Sequence, residues 1–277
     1  MTTAQKIIKY MANAFAIVLI VTIISTILNI GYEILTGVGV INFKENKILA
    51  DLITISDNIE EISTLKLDIK GSEVQVKTGE KFEVKTNNPN ISYANENGKV
   101  TVKEEKISRW NIGKDDGSLL IIYLPEDIKQ MDKVKMDIGA GTIDIEKIDT
   151  KSLYLDLGAG NVTIDDLNVS EEAKINGGAG NININSGKIA NVNFDLGIGE
   201  TTIKADITGN SKIDTGIGKL NVYLTLAKEE YKIDIEKGVG EIRFNDTTVS
   251  NDTSIGDGNN HLKINGGVGE INIKTEI

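Results

Sequence analysis

One phrase returns seven times along the second half of the chain, and it restricts the fold more than any other feature. It reads apolar, acidic or amide, any residue, Gly, compact apolar residue, Gly, then alternating apolar residues. The copies centre on Gly139-Ala140-Gly141, Gly158-Ala159-Gly160, Gly178-Ala179-Gly180, Gly197-Ile198-Gly199, Gly216-Ile217-Gly218, Gly238-Val239-Gly240 and Gly267-Val268-Gly269. Their first glycines step by 19, 20, 19, 19, 22 and 29 residues, a period in the range of stacked repeats.

Between Leu153 and Ile164, Leu153, Leu155 and Leu157 alternate with Tyr154 and Asp156, and Val162 and Ile164 follow the glycines. Alternation sends one set of side chains to each face of a strand. The Gly-x-Gly interrupts it and is read as a corner, because glycine reaches positive φ and lets neighbouring backbone come close. The residues between the glycines, Ala140, Ala159, Ala179, Ile198, Ile217, Val239 and Val268, are expected to form an interior stack. One coil cannot bury its own apolar face, so stability must come from its neighbours. The expected fold is all-β: a single-stranded β-solenoid (β-helix) of roughly 19–20 residues per coil, preceded by one N-terminal transmembrane helix. No copy has the strand–GxGxxG–helix setting of a dinucleotide site or the Gly-Lys-Ser/Thr of a phosphate loop.

The helix expectation rests on residues 12–30, an uncharged and mostly apolar run behind Lys6 and Lys9. As a helix it would extend about 28 Å, close to the hydrocarbon thickness of a bilayer. It is longer than a signal-peptide core and lacks a small-x-small cleavage site, so a retained anchor is expected. Lysines before the run and none after it until Lys44 place the N-terminus in the cytoplasm and the rest of the chain outside. The expected organisation is a cytoplasmic N-terminus at 1–11, the anchor at 12–30, a connector at 31–62 and a solenoid at 63–277. Within the solenoid, an irregular cap occupies 63–133 and regular coils 134–277. The last coil, Leu262 to Ile277, is expected to leave an unpaired β edge, and the oligomeric state stays open.

The absence of Cys and the single His rule out disulfides and a His-based metal cluster within one chain. A formal net charge of −11, with no basic patch, argues against nucleic acid. His261 is read as a surface residue opening the last strand, and Trp110 as a loop anchor on the cap. Two positions before each first glycine stand Asp137, Asp156, Asn176, Asp195, Asp214, Glu236 and Asn265. Hard cations prefer such oxygens, which makes Asp137, Asp156, Asp195 and Asp214 the metal candidates. Lys135, Lys174, Lys212 and Lys263, two residues earlier, favour the competing structural role. The Asp that a Ca²⁺-binding nonapeptide repeat needs after its glycines is missing, since Asn161, Asn181, Glu200 and Glu241 stand there.

An opening Leu67-Asp68-Ile69-Lys70-Gly71-Ser72-Glu73-Val74-Gln75-Val76, a Tyr123-Leu124-Pro125 strand end and the Asp-x-Gly-x-Gly coils together resemble the bacterial DUF4097 β-strand-repeat proteins, labelled "putative adhesin". The resemblance covers roughly residues 62–277. It implies an envelope-associated β-solenoid with no catalytic motif to carry over, and some relatives linked to envelope stress responses. The function expected is a non-enzymatic, membrane-anchored, adhesin-like scaffold without a cofactor. Its expected partner is a cell-wall polymer or an envelope protein. A regulatory role in an envelope stress system and a polysaccharide-cleaving β-helix are the alternatives.

Overall fold

The structure, a computed structural model, describes residues 51–57, 59, 61–105 and 117–276. The anchor expected at 12–30, most of the connector and Trp110 lie outside the described residues. Among the described residues there is no α-helix, and no helix long and apolar enough to cross a membrane.

In chain order the strands are β1 (Ile53–Thr54), β2 (Thr64–Ile69), β3 (Glu73–Gly79), β4 (Glu83–Thr86), β5 (Ile91–Glu96), β6 (Lys99–Glu104) and β7 (Leu119–Pro125). They continue as β8 (Met131–Ile184), β9 (Gly187–Ala190), β10 (Val192–Thr208), β11 (Asn210–Ala227), β12 (Tyr231–Phe244), β13 (Thr247–Val249), β14 (Thr253–Ile255) and β15 (Asn260–Glu276). All 15 belong to one sheet. Its middle is parallel and in register: Phe194 pairs with Ile175 on one side and Ile213 on the other, each 19 residues away. Each turn of chain therefore lies directly on the one before, and β8 alone runs through several turns.

The buried residues are those that the alternation selects. Leu153, Leu155, Leu157, Val162 and Ile164 are each at most 2% exposed, and Ile175, Phe194, Ile213 and Ile264 stack above one another at 0%. The buried series jumps from Leu157 to Val162 across the glycines. This corrects the expected interior stack: Ala140, Ala159 and Ala179 are exposed, Ile198 and Ile217 are half-exposed, and Val268 and Val239 are 50% and 65% exposed. Alternation cannot be counted through a residue with positive φ, and the backbone at the second glycine swings the middle residue outward.

The coils do not stack in chain order at either end. β15 lies between β11 and β12, pairing Ile264 with Ile213 on one side and with Ile235 on the other. The last strand therefore leaves no unpaired edge, contrary to expectation. Gly266 packs beneath this outer coil: a Cβ there would lie 2.6 Å from the Ile271 Cδ1 of its own coil and 3.1 Å from the Lys237 Cγ of the coil stacked on it. At the other end β2 lies between β6 and β8, and β3 between β7 and β8. Antiparallel strands then cover both outer coils: β4 pairs with β7 and β5 with β6, while β13 and β14 pair with β12. Such covers blunt the hydrogen-bonding edges through which sheets add further strands.

Candidate functional site

Gly158 and Gly160 show why the corners need glycine. Gly160 has φ +136°, and a Cβ on either residue would overlap the carbonyl oxygen of Gly139 or Gly141 in the coil beneath. The pairs Gly178/Gly180, Gly197/Gly199 and Gly216/Gly218 meet the coils beneath them in the same close approach, and Gly139/Gly141 in a looser one, 2.8 and 3.3 Å from the Lys70 and Ser72 carbonyl oxygens. The corners stack as one column, and the middle residues form an exposed apolar ridge. In space it runs Ala179, Ile198, Ile217, Val268, Val239.

The column carries an opposite charge at each end. At the β6 end the Glu104 carboxylate, fully buried, accepts the backbone N–H groups of Lys70, Gly71 and Ser72 at 2.7, 2.9 and 3.2 Å. It also accepts the Ser72 hydroxyl at 2.9 Å and the Asn88 amide at 2.8 Å. At the β12 end the Lys237 ammonium donates to the carbonyls of Val239 (2.6 Å) and Gly269, and burial pulls its pKa down. The Ala140 N–H points the same way, donating to the Lys70 carbonyl at 3.2 Å, so Glu104 meets N–H groups left over at its end, and Lys237 meets one carbonyl of the outermost coil and one of the coil beneath it. Sequence reading missed both residues. Lys237 carries a signal, being a Lys where other copies have Ile138, Leu157 or Leu196.

The acidic column stands on one side of the ridge, but its members do not converge. Asp137 is in register with Asp68, and Asp195 lies between Asn176 and Asp214. Asp156 occupies the exposed position between the coils of Asp137 and Asn176. Asn265 separates Asp214 from Glu236 and donates to Asp214 at 2.6 Å. Burial pushes the Asp214 carboxyl up, but its bonds to Lys212 and Asn265 outweigh that and hold it below the usual range. Lys263 pairs with Glu236 at 3.0 Å. Among the described residues no three His, Asp or Glu side chains are grouped to hold a metal ion.

The other side of the ridge differs in chemistry. Asn183, Thr202, Asn221 and Asn272 follow one another in register, with Arg243 closing the row. Flanking bonds from Asn181 to Asn161 (3.1 Å) and from Asn185 to Asp165 (2.8 Å) place Thr163 beneath Asn183. At the β3 end of this face a cleft of about 320 Å³ is lined by Gln75, Lys77, Asp144, Glu146, Thr163 and Asp165. Burial, helped by the charge of Asp165, raises the pKa of Asp144.

His261 is half-buried rather than a free surface residue. Its Nε2 lies 2.6 Å from Asp234 Oδ2, and the Ser254 hydroxyl donates to Asp234 Oδ1 at 2.6 Å. The cluster ties β15, β12 and the covering strand β14 together. It is not a nucleophilic triad, because Asp234 rather than His261 holds the serine.

The family model described as Toastrack DUF4097 matches residues 62–273. No curated protein matches the chain. Among solved structures, a "putative cell adhesion protein" from Clostridium sporogenes is 17% identical, with 82% of this chain and 98% of that one covered at a TM-score of 0.34. A "putative adhesin" from Bacteroides fragilis is 14% identical, with 81% and 97% covered and a TM-score of 0.40. A third, from Parabacteroides merdae, is 12% identical, with 82% and 97% covered and a TM-score of 0.34.

Proposed function

The chain belongs to the Toastrack DUF4097 family, and we propose that it is a non-enzymatic, membrane-anchored, adhesin-like solenoid that presents repeated side-chain columns to a cell-envelope polymer outside the cytoplasm. The observation that carries this reading is the register itself. Side chains of one kind recur coil after coil on exposed faces, as with Asp195 beside Asp214 and Thr202 between Asn183 and Asn221. A linear polymer offers the matching periodicity, and many weak contacts in a row add through effective concentration. The apolar run at 12–30 behind Lys6 and Lys9 supports the anchor and its orientation.

The test is sedimentation of the full chain, kept in detergent, with isolated sacculi that retain their attached polymers. Saturable binding is expected, unchanged by Ca²⁺, because amides and lysines interrupt the acidic column. Absence of binding contradicts the reading and directs attention to an envelope protein as partner. Cleavage has one observation in its favour, the neighbouring carboxyls of Asp144 and Asp165 in the cleft. Hydrolysis needs such a pair at a defined separation about the bond. New reducing ends after incubation with the sacculi would establish that reading, and none are expected.

A further inference from the structure

Resting on that reading, we propose that the ligand is an uncharged polysaccharide chain. It lies along the stack over Thr163, Asn183, Thr202, Asn221 and Asn272, with one end in the cleft at Gln75 and Asp144.

The first argument is chemical. These five positions occupy successive coils and carry no charge, whereas the corresponding column across the ridge is mostly acidic. Amides and hydroxyls both donate and accept hydrogen bonds, as sugar hydroxyls do, and one such group recurs about every 4.8 Å. The Asn183 and Thr163 side chains make no hydrogen bond to any described residue, so their polar groups are available to a ligand. By contrast Asn221 donates to Glu200 at 3.0 Å and to Thr202 at 3.3 Å, and Asn272 donates to Asn221 at 3.1 Å. The row is thus held in line at one end and free at the other.

The second argument is shape. β3 stays paired with β8 only as far as Val76 and Ile145, but follows β7 on to Gly79 and Pro125. The sheet opens there into the cleft of about 320 Å³, at the lower end of the size of small-ligand sites. It adjoins the free end of the row through Thr163. The ridge beside that end is low, because Ala140, Ala159 and Ala179 form it. Ile198 and Ile217, farther along, offer an apolar border for the C–H faces of sugar rings.

The third argument is electrostatic. Asp144, Glu146 and Asp165 outnumber Lys77 around the cleft, and the chain carries a formal charge of −11. An anionic polymer would be repelled, while carboxylates readily accept bonds from neutral hydroxyls.

The test compares the full chain with two double variants in the sacculus sedimentation. Thr163→Val with Asn183→Leu keeps shape and removes the free polar groups. Asp137→Asn with Asp156→Asn alters the opposite side of the ridge. The first is expected to weaken binding at least tenfold and the second less than twofold, with melting temperatures matching the parent. Thr163→Val alone, nearly isosteric, is expected to weaken binding measurably and serves if the double variant melts early. Neutral chitohexaose, mannohexaose and maltohexaose compete, at least one displacing the protein, while oligogalacturonate does not. Unchanged binding by the first variant and by Thr163→Val overturns this inference and leaves the scaffold reading standing. Displacement by oligogalacturonate alone, by none of the four, or loss of binding on protease treatment of the sacculi also overturns it. No sedimentation at all removes both.

Discussion

Glu104 Oε2 accepts the Gly71 N–H at 2.9 Å, and by doing so takes the place of a further coil. At the next corner the Ala140 N–H donates to the Lys70 carbonyl of the coil beneath at 3.2 Å, whereas Lys70, Gly71 and Ser72 themselves have this one buried carboxylate. Lys237 answers it at the far end of the column. Three successive N–H groups turned to one side form a concavity that favours an anion, and the unpaired carbonyl side favours a cation. The two buried charges have the complementary signs.

Replacing Glu104 with Ala removes the acceptor of the Lys70, Gly71 and Ser72 N–H groups and of one Asn88 amide hydrogen, while the Ser72 hydroxyl keeps Ser118 as a partner. Each unsatisfied buried group costs about 1–3 kcal/mol. We therefore expect Glu104→Ala to lower stability by about 3 kcal/mol or more and Glu104→Gln by less, measured by urea unfolding. Unfolding midpoints equal to the parent's would contradict the capping role.

Gly177 and Gly180 lie three residues apart, yet they should respond very unequally to Ala. At Gly180 φ is +139° and a Cβ would overlap the Gly160 carbonyl, which is backbone and cannot yield. At Gly177 a Cβ would meet only the Ile182 Cδ1 at 3.0 Å and the Leu196 Cδ2 at 3.3 Å, both ends of movable side chains. Gly180→Ala is expected to depress the melting temperature by many degrees or prevent folding, and Gly177→Ala to shift it by a few at most. Equal shifts would remove the corner assignment.

The Asp234 carboxyl is held below its ordinary 3.8 by hydrogen bonds from Ser254 and then His261. A carboxyl depressed in the folded state adds stability above its unfolded pKa, and that stability is lost as pH falls through the folded value. Asp234→Asn should therefore melt below the parent at pH 7. The gap should close as the pH drops below about 3.8. A gap that stays constant from pH 7 to pH 2.5 would show that the β14 cover does not depend on this charge.

The coil period and the all-β class are legible in the spacing of the glycines, because a parallel stack must repeat its corner. The stacking order is not legible. Residues 231–244 and 262–276 obey the same phrase, and nothing in it marks that the former lie outermost, where β13 and β14 pair with them. The outward turn of Ala159 and Val239 was hidden for a different reason: apolar letters suggest burial, while positive φ at Gly160 and Gly240 reverses the facing. Glu104 ends an ordinary alternating strand, and nothing local marks it, since all its partners are 16 or more residues away. The row Thr163 to Asn272 could have been found by aligning the copies two residues beyond Asn161 and Asn181.

The proposed row continues past Asn221 to Asn272 only because β15 lies between β11 and β12. The chain has no native Cys, so introduced pairs report this order directly. Lys212 and Lys263 are Cα partners, about 4.8 Å apart as neighbouring strands, within disulfide reach. Lys212 and Asp234 lie two strands apart through Lys263, about 9.6 Å and out of reach. Under mild oxidation, Lys212→Cys with Lys263→Cys should form an intramolecular disulfide, and Lys212→Cys with Asp234→Cys should stay reduced. The opposite pattern would mean that the coils stack in chain order, with Arg243 rather than Asn272 beside Asn221 and the observed register contradicted.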